Sequence, residues 1–551
     1  MATRPDLAPR PSRQARGYAD FQEHLAALEA AGLLHRIDRA VDKDSLLHPL
    51  VRWQFRGGLA EADRKAFLFT DVVDANGRGY DFPVAVGALA ANAAIYSIGM
   101  GVPVDEIGRT WQRAMRAPIP PQIVPDAPCH EAVLTGAALR GEGGGLDALP
   151  VPISTPGYDA APYLTATCCI TADPGTGVQN MGTYRAQLKA PDRMGLKMFV
   201  DLGQGGYDHW LKCRERGTAL EMAIVVGCPP PVAYCAPQKI AFGTDELAVA
   251  GGIVGRPINA VRARTVDLLV PAESEFVIEG TIDTEYMEPE GPFGESHGHI
   301  NLEEYNFIFE VTAITHRRNA VFASIISQVT PSESSVVKRV AYEPLFLDHL
   351  REGLGIKGVR RVSMHEPLTN LRRVIVVQLA ADTPRTEIWR ALYGTTSFQQ
   401  PCGKYVIAVS PDIDPENADA VFWAMAYRAD PERDTAILPH RDRGHGPKGE
   451  GEESSLLVDA TLKGPLPPVA LPKREYMERA RALWDELGLP ALRPEPPWHG
   501  YSLGDWSEKW DEDARRAVAG GWREAGERSR QRRRSGVRPN DLLRASEDGE
   551  E

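Results

Sequence analysis

Glu290-Gly291-Pro292-Phe293-Gly294-Glu295 puts two carboxylates at the two ends of a turn that glycine and proline keep tight. Two acids held this way can be driven to different pKa values, which proton transfer at a reacting carbon requires. Working outward, Asn180-Met181-Gly182-Thr183-Tyr184-Arg185 supplies an amide oxygen and a guanidinium able to complete such a site. Together the two segments point to an enzyme acting on a carboxylate. On its residues alone the acid pair has three readings: an acid/base pair, a cation site, or two solvated turn residues. Paired carboxylates also serve glycoside hydrolysis, where aromatic sugar platforms are expected, and a chain that is 7% aromatic does not advertise them.

The turn sits in a strand-rich region from about 150 to 330. Within it Ile308, Val311, Ala313 and Ile314 lead to the polar turn Arg317-Arg318-Asn319 and on to Ala320 through Ile326, a pattern that predicts an antiparallel hairpin. Upstream, residues 18 to 37 read as an amphipathic helix, with Asp20 as its cap, Phe21, Leu25 and Leu28 on one face, and Gly32 after the last turn. The proline-rich stretch from Pro118 to Pro128 and the glycine run from Gly141 to Gly145 mark a first boundary. Downstream of 336, strands at 373–377 and 405–409 alternate with helical segments such as the one carrying Ala418, Val421, Phe422, Met425 and Ala426, the pattern of an α/β domain. A helix from Lys473 to Leu487 is followed by a segment with Trp498, Trp506 and Trp510 and by the basic run Arg528 to Arg534, read as a solvated or disordered tail. The expected fold class is therefore α/β (α+β), in four parts: an N-terminal α/β region over 1–125, a central domain over 126–335, an α/β domain over 336–470 and a helical, partly disordered tail over 471–551.

At 551 residues the chain is long enough to bury a sizeable active site. Its 43% apolar and 25% charged composition is that of an ordinary soluble protein, and a formal net charge of -13 argues against nucleic acid or anionic lipid as the main partner. Seven cysteines, odd in number and without CxxC spacing, several in apolar runs such as Ala223 to Cys228, read as buried reduced thiols. With no apolar signal segment and no long apolar stretch, a cytoplasmic protein free of membrane is expected.

The motifs recur in one order. Asn180 with Arg185, Pro229-Pro230-Pro231 after an apolar strand, Asp245-Glu246-Leu247-Ala248-Val249-Ala250-Gly251-Gly252, Val270-Pro271-Ala272-Glu273-Ser274-Glu275 with Glu279-Gly280, and the Glu290–Glu295 turn jointly resemble the UbiD-like decarboxylases. The opening Tyr18-Ala19-Asp20-Phe21 and the stretch Trp423 to Thr435 are similar to that family too, so the resemblance spans about residues 18 to 465. It implies a reversible, non-oxidative carboxy-lyase of aromatic, heteroaromatic or α,β-unsaturated acids that uses prenylated FMN. It also implies that the central region is a split β-barrel binding that cofactor, and that the C-terminal α/β domain makes a homo-oligomer, dimer or hexamer. A flavin prenyltransferase would supply the cofactor. The chemistry needs it: loss of CO2 from an sp2 carbon leaves a carbanion with nowhere to delocalise, so an electron-accepting cofactor is required.

Carried over residue by residue, the resemblance makes Arg185 the substrate-carboxylate arginine, whose planar fork suits two-point recognition. Glu290 would orient and neutralise Arg185, and Glu295 would protonate the carbon after CO2 leaves, burial and the neighbouring acid raising its pKa. Asn180, Thr183, Tyr184, Arg185, Asp201 and Glu246 form the expected cofactor-binding set. Asn180 and Glu246 match two ligands of a manganese or magnesium ion on the flavin phosphate, with potassium as a further ion. The family's third ligand is usually a histidine, but here the stretch reads Asp201-Leu202-Gly203-Gln204-Gly205-Gly206. Asp201 is the nearest oxygen donor, with a water or the absence of a metal as alternatives, and His209 is read as a surface or core residue. A second departure is Ser455, where many relatives carry a lysine that meets the flavin or its phosphate. These two losses leave a rival reading open, a non-catalytic or partner-dependent subunit of a multi-subunit carboxylase with altered cofactor binding.

His297-Gly298-His299 reads as a strand lying behind the site rather than a metal pair, the glycine run as no dinucleotide loop, and Cys168-Cys169 as core. Met198, Asp201, Ser296 and Ser334, near the acyl pocket by resemblance, suggest a polar or ring-substituted small-molecule acid, with a coenzyme A thioester as a variant that the tail could reach.

Overall fold

A computed structural model of the chain describes residues 16–198, 205–241, 243–400, 402–442, 452–464, 466–492 and 508–531. The described residues fall into two compact units that divide after Thr461. The second unit contains the helices Arg474–Glu486, Glu508–Val518 and Trp522–Gln531, the first close to the helix expected over 473–487. Trp498, Trp506 and the end of the basic run lie outside the described residues.

The first unit is a mixed α/β structure built on a ten-stranded sheet. Its pairing path runs Gln179–Gly182, Thr167–Ala172, Leu220–Val226, Phe276–Ile282, Glu304–His316, Arg193–Leu196, Ala186–Ala190 and Tyr163–Leu164; Glu288–Glu290 and Ala132–Thr135 also pair with Glu304–His316. Among the described strands the path does not close on itself. Two-residue periodicity sorts the central strands between two cores. Leu220, Met222, Ile224 and Val226 point into one core with Phe276 and Ile278, while Ala223 and Val225 point into the other with Val277. All seven cysteines are buried thiols, as their apolar settings predict, and Cys168 Sγ lies 3.4 Å from Cys228 Sγ.

Asp20 caps the first helix in a reciprocal capping box with Glu23, and Phe21, Leu25 and Leu28 are its buried face. The helix is shorter than the 18–37 predicted: it spans Phe21–Ala30, and Gly32 takes φ +70, which ends it. Leu34–Ile37 then forms a strand parallel to Ala66–Phe69.

The hairpin predicted around 317–319 is corrected as well. Glu304–His316 is a strand of the large sheet, but Phe322–Ser324 pairs in parallel with Val84–Val86 in a separate four-stranded sheet. The reason is Arg317, which is almost fully buried instead of turning to solvent. Its guanidinium donates to Asp20 Oδ2 and to the carbonyls of Ser274 and Glu273, and the Val321 N–H is taken by Glu275 Oε2. These bonds carry the chain across from one sheet to the other.

After the capped helix Glu333–Asp348 comes a five-stranded sheet in the order Val359–Met364, Val374–Leu379, Tyr405–Val409, Glu453–Ala460 and Thr435–Arg441. With the helices Arg385–Phe398 and Ala418–Arg428 it gives the expected α/β architecture. Among the described residues no helix is long and apolar enough to cross a membrane.

Candidate active site

The turn from Glu290 to Glu295 closes on Arg185. Glu290 ends a short strand that pairs with Glu304–His316, and Gly291 follows with φ +112, a conformation side chains other than glycine rarely adopt. After a cis Gly291–Pro292 bond, Phe293–Gly294 pairs antiparallel with Ile300–Asn301. Arg185 sits just before Ala186–Ala190, where its carbonyl accepts from Lys197 N–H.

Arg185 donates from Nε to Glu290 Oε1 and from Nη2 to Glu290 Oε2, both at 2.9 Å, and from Nη1 to Glu295 Oε2 at 2.9 Å. This is the bidentate fork that a guanidinium makes and an ammonium cannot. Burial alone would lower the Arg185 pKa, but the two carboxylates outweigh it and raise it. Glu290 has no exposed surface and also accepts from Asn306 Nδ2 at 3.2 Å. Glu295 Oε1 accepts from the Ser296 N–H at 2.7 Å, and the Arg185 guanidinium lies 4.7 Å from the centre of the Phe293 ring.

Arg185 and Glu295 form part of the wall of a cavity of about 240 Å³, with Glu290 behind Arg185 and off the lining. The three residues singled out from sequence are thus brought together. Asn180, Thr183, Tyr184 and Glu246 line the same cavity, as do Ser296 and Ser334. Met198 is buried but not on the lining, and Asp201 lies outside the described residues.

Glu246 opens the helix Glu246–Val254 behind its cap Asp245, and its Oε2 accepts from the Met181 N–H at 2.7 Å. Burial pushes its carboxyl up to about 8, and no cationic side chain among the described residues pairs with it. Such a carboxylate invites a cation. Asn180 stands in the strand beside Met181, and Gly205 packs so closely on it that a Cβ there would collide with the Asn180 side-chain amide. Two hard oxygen donors on one cavity wall fit a divalent ion; no cluster of three or more His, Cys, Asp or Glu side chains is found among the described residues. Apolar Leu89, Met181, Ile240 and Ile325 also line the cavity, which suits a planar ring system.

His209 is a core residue, buried, with Nδ1 2.9 Å from Thr171 Oγ1. His297 and His299 lie in a turn rather than the expected strand, because Gly298 has φ +92; His297 Nε2 is 2.9 Å from Asn301 Oδ1. Ser455 is buried in the five-stranded sheet, where its Oγ accepts from Arg441 Nε at 3.2 Å, and it is not on the cavity lining. Sequence reasoning missed the cavity's cations Lys197, which pairs with Glu304, and Lys239, Lys338 and Arg372. The signal for Lys338 was available, since Ser334, Val337 and Lys338 fall at helical spacing on one face.

Residues 122–329 match the family model described as the 3-octaprenyl-4-hydroxybenzoate carboxy-lyase Rift-related domain, and residues 337–454 match the C-terminal domain of the same carboxy-lyase. An uncharacterised protein of Synechocystis sp. is 28% identical over 88% of this chain and 96% of its own length. Among solved structures, the UbiD-class enzyme HmfF from Pelotomaculum thermopropionicum, in an evolved dimeric form in complex with prFMN, is 28% identical over 84% of this chain and 99% of its own, with a TM-score of 0.72. HmfF in complex with FMN gives a TM-score of 0.73 at the same identity and covers 84% of this chain and 100% of its own. Vanillic acid decarboxylase from Sedimentibacter hydroxybenzoicus shares the fold, at 24% identity over 85% of this chain and 99% of its own, with a TM-score of 0.69. With two successive family models taking in more than half of its length, and the acid–arginine cavity between them, the chain belongs to the UbiD-like decarboxylases, a family of carboxy-lyases.

Proposed function

We propose that the protein is a cytoplasmic, reversible, non-oxidative decarboxylase of an aromatic, heteroaromatic or α,β-unsaturated acid that works with prenylated FMN. The observation that carries this reading is the buried Arg185 held between Glu290 and Glu295 on a cavity wall. When bound, prenylated FMN supplies the electron sink that a carbanion at an sp2 carbon needs. Asn180, Thr183, Tyr184, Arg185 and Glu246 would hold it, with manganese or magnesium on Asn180 and Glu246, Asp201 as the third ligand, and potassium as a further ion. The desolvated carboxyl of Glu246 supports the metal.

Three of the five guanidinium N–H donors of Arg185 are engaged by the two acids, which leaves two for a substrate carboxylate. Glu290 fixes the plane of that guanidinium from behind. A substrate carboxylate docked beside Glu295 favours the protonated form of Glu295, because two carboxylates resist sharing one site as anions. Glu295 then gives its proton to the carbon once CO2 has left, and in the reverse direction takes it back. Phe293 covers one side of Arg185 and limits water there.

Residues 126–335 would form the cofactor domain and 336–470 the surface of a homo-oligomer, dimer or hexamer, with a flavin prenyltransferase as cofactor supplier. The test is to produce the protein with and without a flavin prenyltransferase, then measure the mass and absorbance of the released small molecule and the CO2 evolved from conjugated acids. The reading expects a prenylated flavin and flavin-dependent CO2 release. Equal activity in flavin-free protein would refute it, and Asp201→Ala should lower metal and flavin content together.

A further inference from the structure

The cavity holds more positive charge than Arg185 and its two acids account for. Lys338 comes from the helix Glu333–Asp348, one turn after Ser334 on the same lining face. Arg372 comes from the loop before Val374–Leu379, reached through Leu368, Asn370 and Leu371 with φ of 62, 51 and 45. Such conformations are costly for non-glycine residues and persist only where the surroundings hold them. Lys239 lines the cavity as well.

Neither Lys338 nor Arg372 has a carboxylate within ion-pair distance among the described residues. The acids nearest in sequence are already committed. Glu333 accepts from the Gly87, Leu89 and Ala90 N–H groups, and Glu366 faces Arg339 and Ser335. Arg372 Nη2 reaches only the Tyr342 hydroxyl, at 3.4 Å, and its Nε is buried without a hydrogen-bond partner. Burial pushes Lys338 down to about 8, with Arg372 lowering it further and Glu295 opposing. The Glu295 charge also favours the charged form of Arg372. Both cations share the cavity lining with Glu295.

We infer that Lys338 and Arg372 form a second anion-recognition site on the cavity wall, so that the acid held by Arg185 carries a second anionic oxygen group, as an aromatic or conjugated dicarboxylate does. This rests on the decarboxylase reading for the role of Arg185. Two unpaired cations beside a third are mutually repulsive, and an incoming anion relieves that repulsion while satisfying the orphaned Arg372 Nε. A plain monocarboxylic acid would leave both cations desolvated and unmatched.

The test is calorimetric binding to the flavin-loaded protein of benzoate, 4-hydroxybenzoate and benzene-1,3- and benzene-1,4-dicarboxylate. The readout is the ratio of affinities, which needs no turnover and stays measurable if the decarboxylase reading fails. At least one diacid, or 4-hydroxybenzoate, should bind more tightly than benzoate, and which of them does so tells whether the second group is a carboxylate or a phenolate. Lys338→Met or Arg372→Met removes a charge-assisted hydrogen bond to that group and should shrink the preference by about 10- to 100-fold, whereas Lys338→Arg should retain most of it. Absence of any preference in the unmodified protein would overturn the proposal, and decides the matter even if a variant fails to fold. So would a loss of bound flavin in Lys338→Met, since the cations would then serve the cofactor phosphate.

Discussion

Replacing Arg185 by lysine keeps the charge and removes the fork. In the structure the guanidinium makes three hydrogen bonds of 2.9 Å, two to Glu290 and one to Glu295, with side-chain exposures of 7%, 0% and 10% for the arginine and the two acids. A lysine Nζ has no planar geometry to span both acids, so at least two charge-assisted bonds disappear, each worth roughly 1.5–3 kcal/mol. Because Glu290 is left buried without its bidentate partner, the expected destabilisation is about 3–5 kcal/mol. The same change misplaces the substrate carboxylate, and a displacement of about 1 Å costs on the order of 10²-fold in rate. Thermal unfolding of the flavin-loaded protein and kcat/KM for a decarboxylated acid check both numbers. An Arg185→Lys protein with an unchanged melting temperature and kcat/KM within about threefold of the unmodified enzyme would refute the claim that this fork organises the site.

Glu290→Gln should lose activity through Arg185, so its effect and that of Arg185→Lys should combine to far less than their sum in a double-mutant cycle. Metal-free protein should show a pH dependence from Glu246. Its carboxyl is raised from 4.5 to about 8, so in that window the folded state holds a proton that the unfolded state has released, and this contribution to stability falls as pH rises. Manganese or magnesium should therefore raise the melting temperature more at pH 8 than at pH 5, a difference that Glu246→Gln should abolish; an equal metal effect in that variant would remove Glu246 from the ligand set. Arg317→Met should be destabilising by several kcal/mol in denaturant unfolding, because Glu275 would stay buried without its cation and Asp20 would keep only Arg16.

Much of the site was legible because its parts lie in short motifs. The two acids share one six-residue turn, and Arg185 shares its segment with Asn180. Local signals also marked the Asp20 cap and the Phe21, Leu25 and Leu28 face. What failed was non-local. An apolar run, a polar turn and a second apolar run look like a hairpin, yet the partners of Arg317, namely Asp20 and the Ser274 and Glu273 carbonyls, come from other elements and send the chain to another sheet. Leu34–Ile37 read as helix for a similar reason: its partner strand Ala66–Phe69 is remote in sequence. Arg372 carries no motif, and the helical spacing of Lys338 with Ser334 marks a shared face without saying what that face meets; the packing of the helix and of the loop before Val374 puts both cations on the cavity wall with Glu295.

The central claim is that Glu295 delivers the proton to the carbon that loses CO2. Deuterium uptake from solvent at that carbon, followed by mass spectrometry in flavin-loaded unmodified protein and in Glu295→Gln, tests it most directly. The account predicts uptake in the unmodified protein and a fall of about 10²–10⁴-fold in the variant, with flavin and metal still bound. Normal uptake in Glu295→Gln would contradict it and move the proton donor elsewhere on the cavity wall.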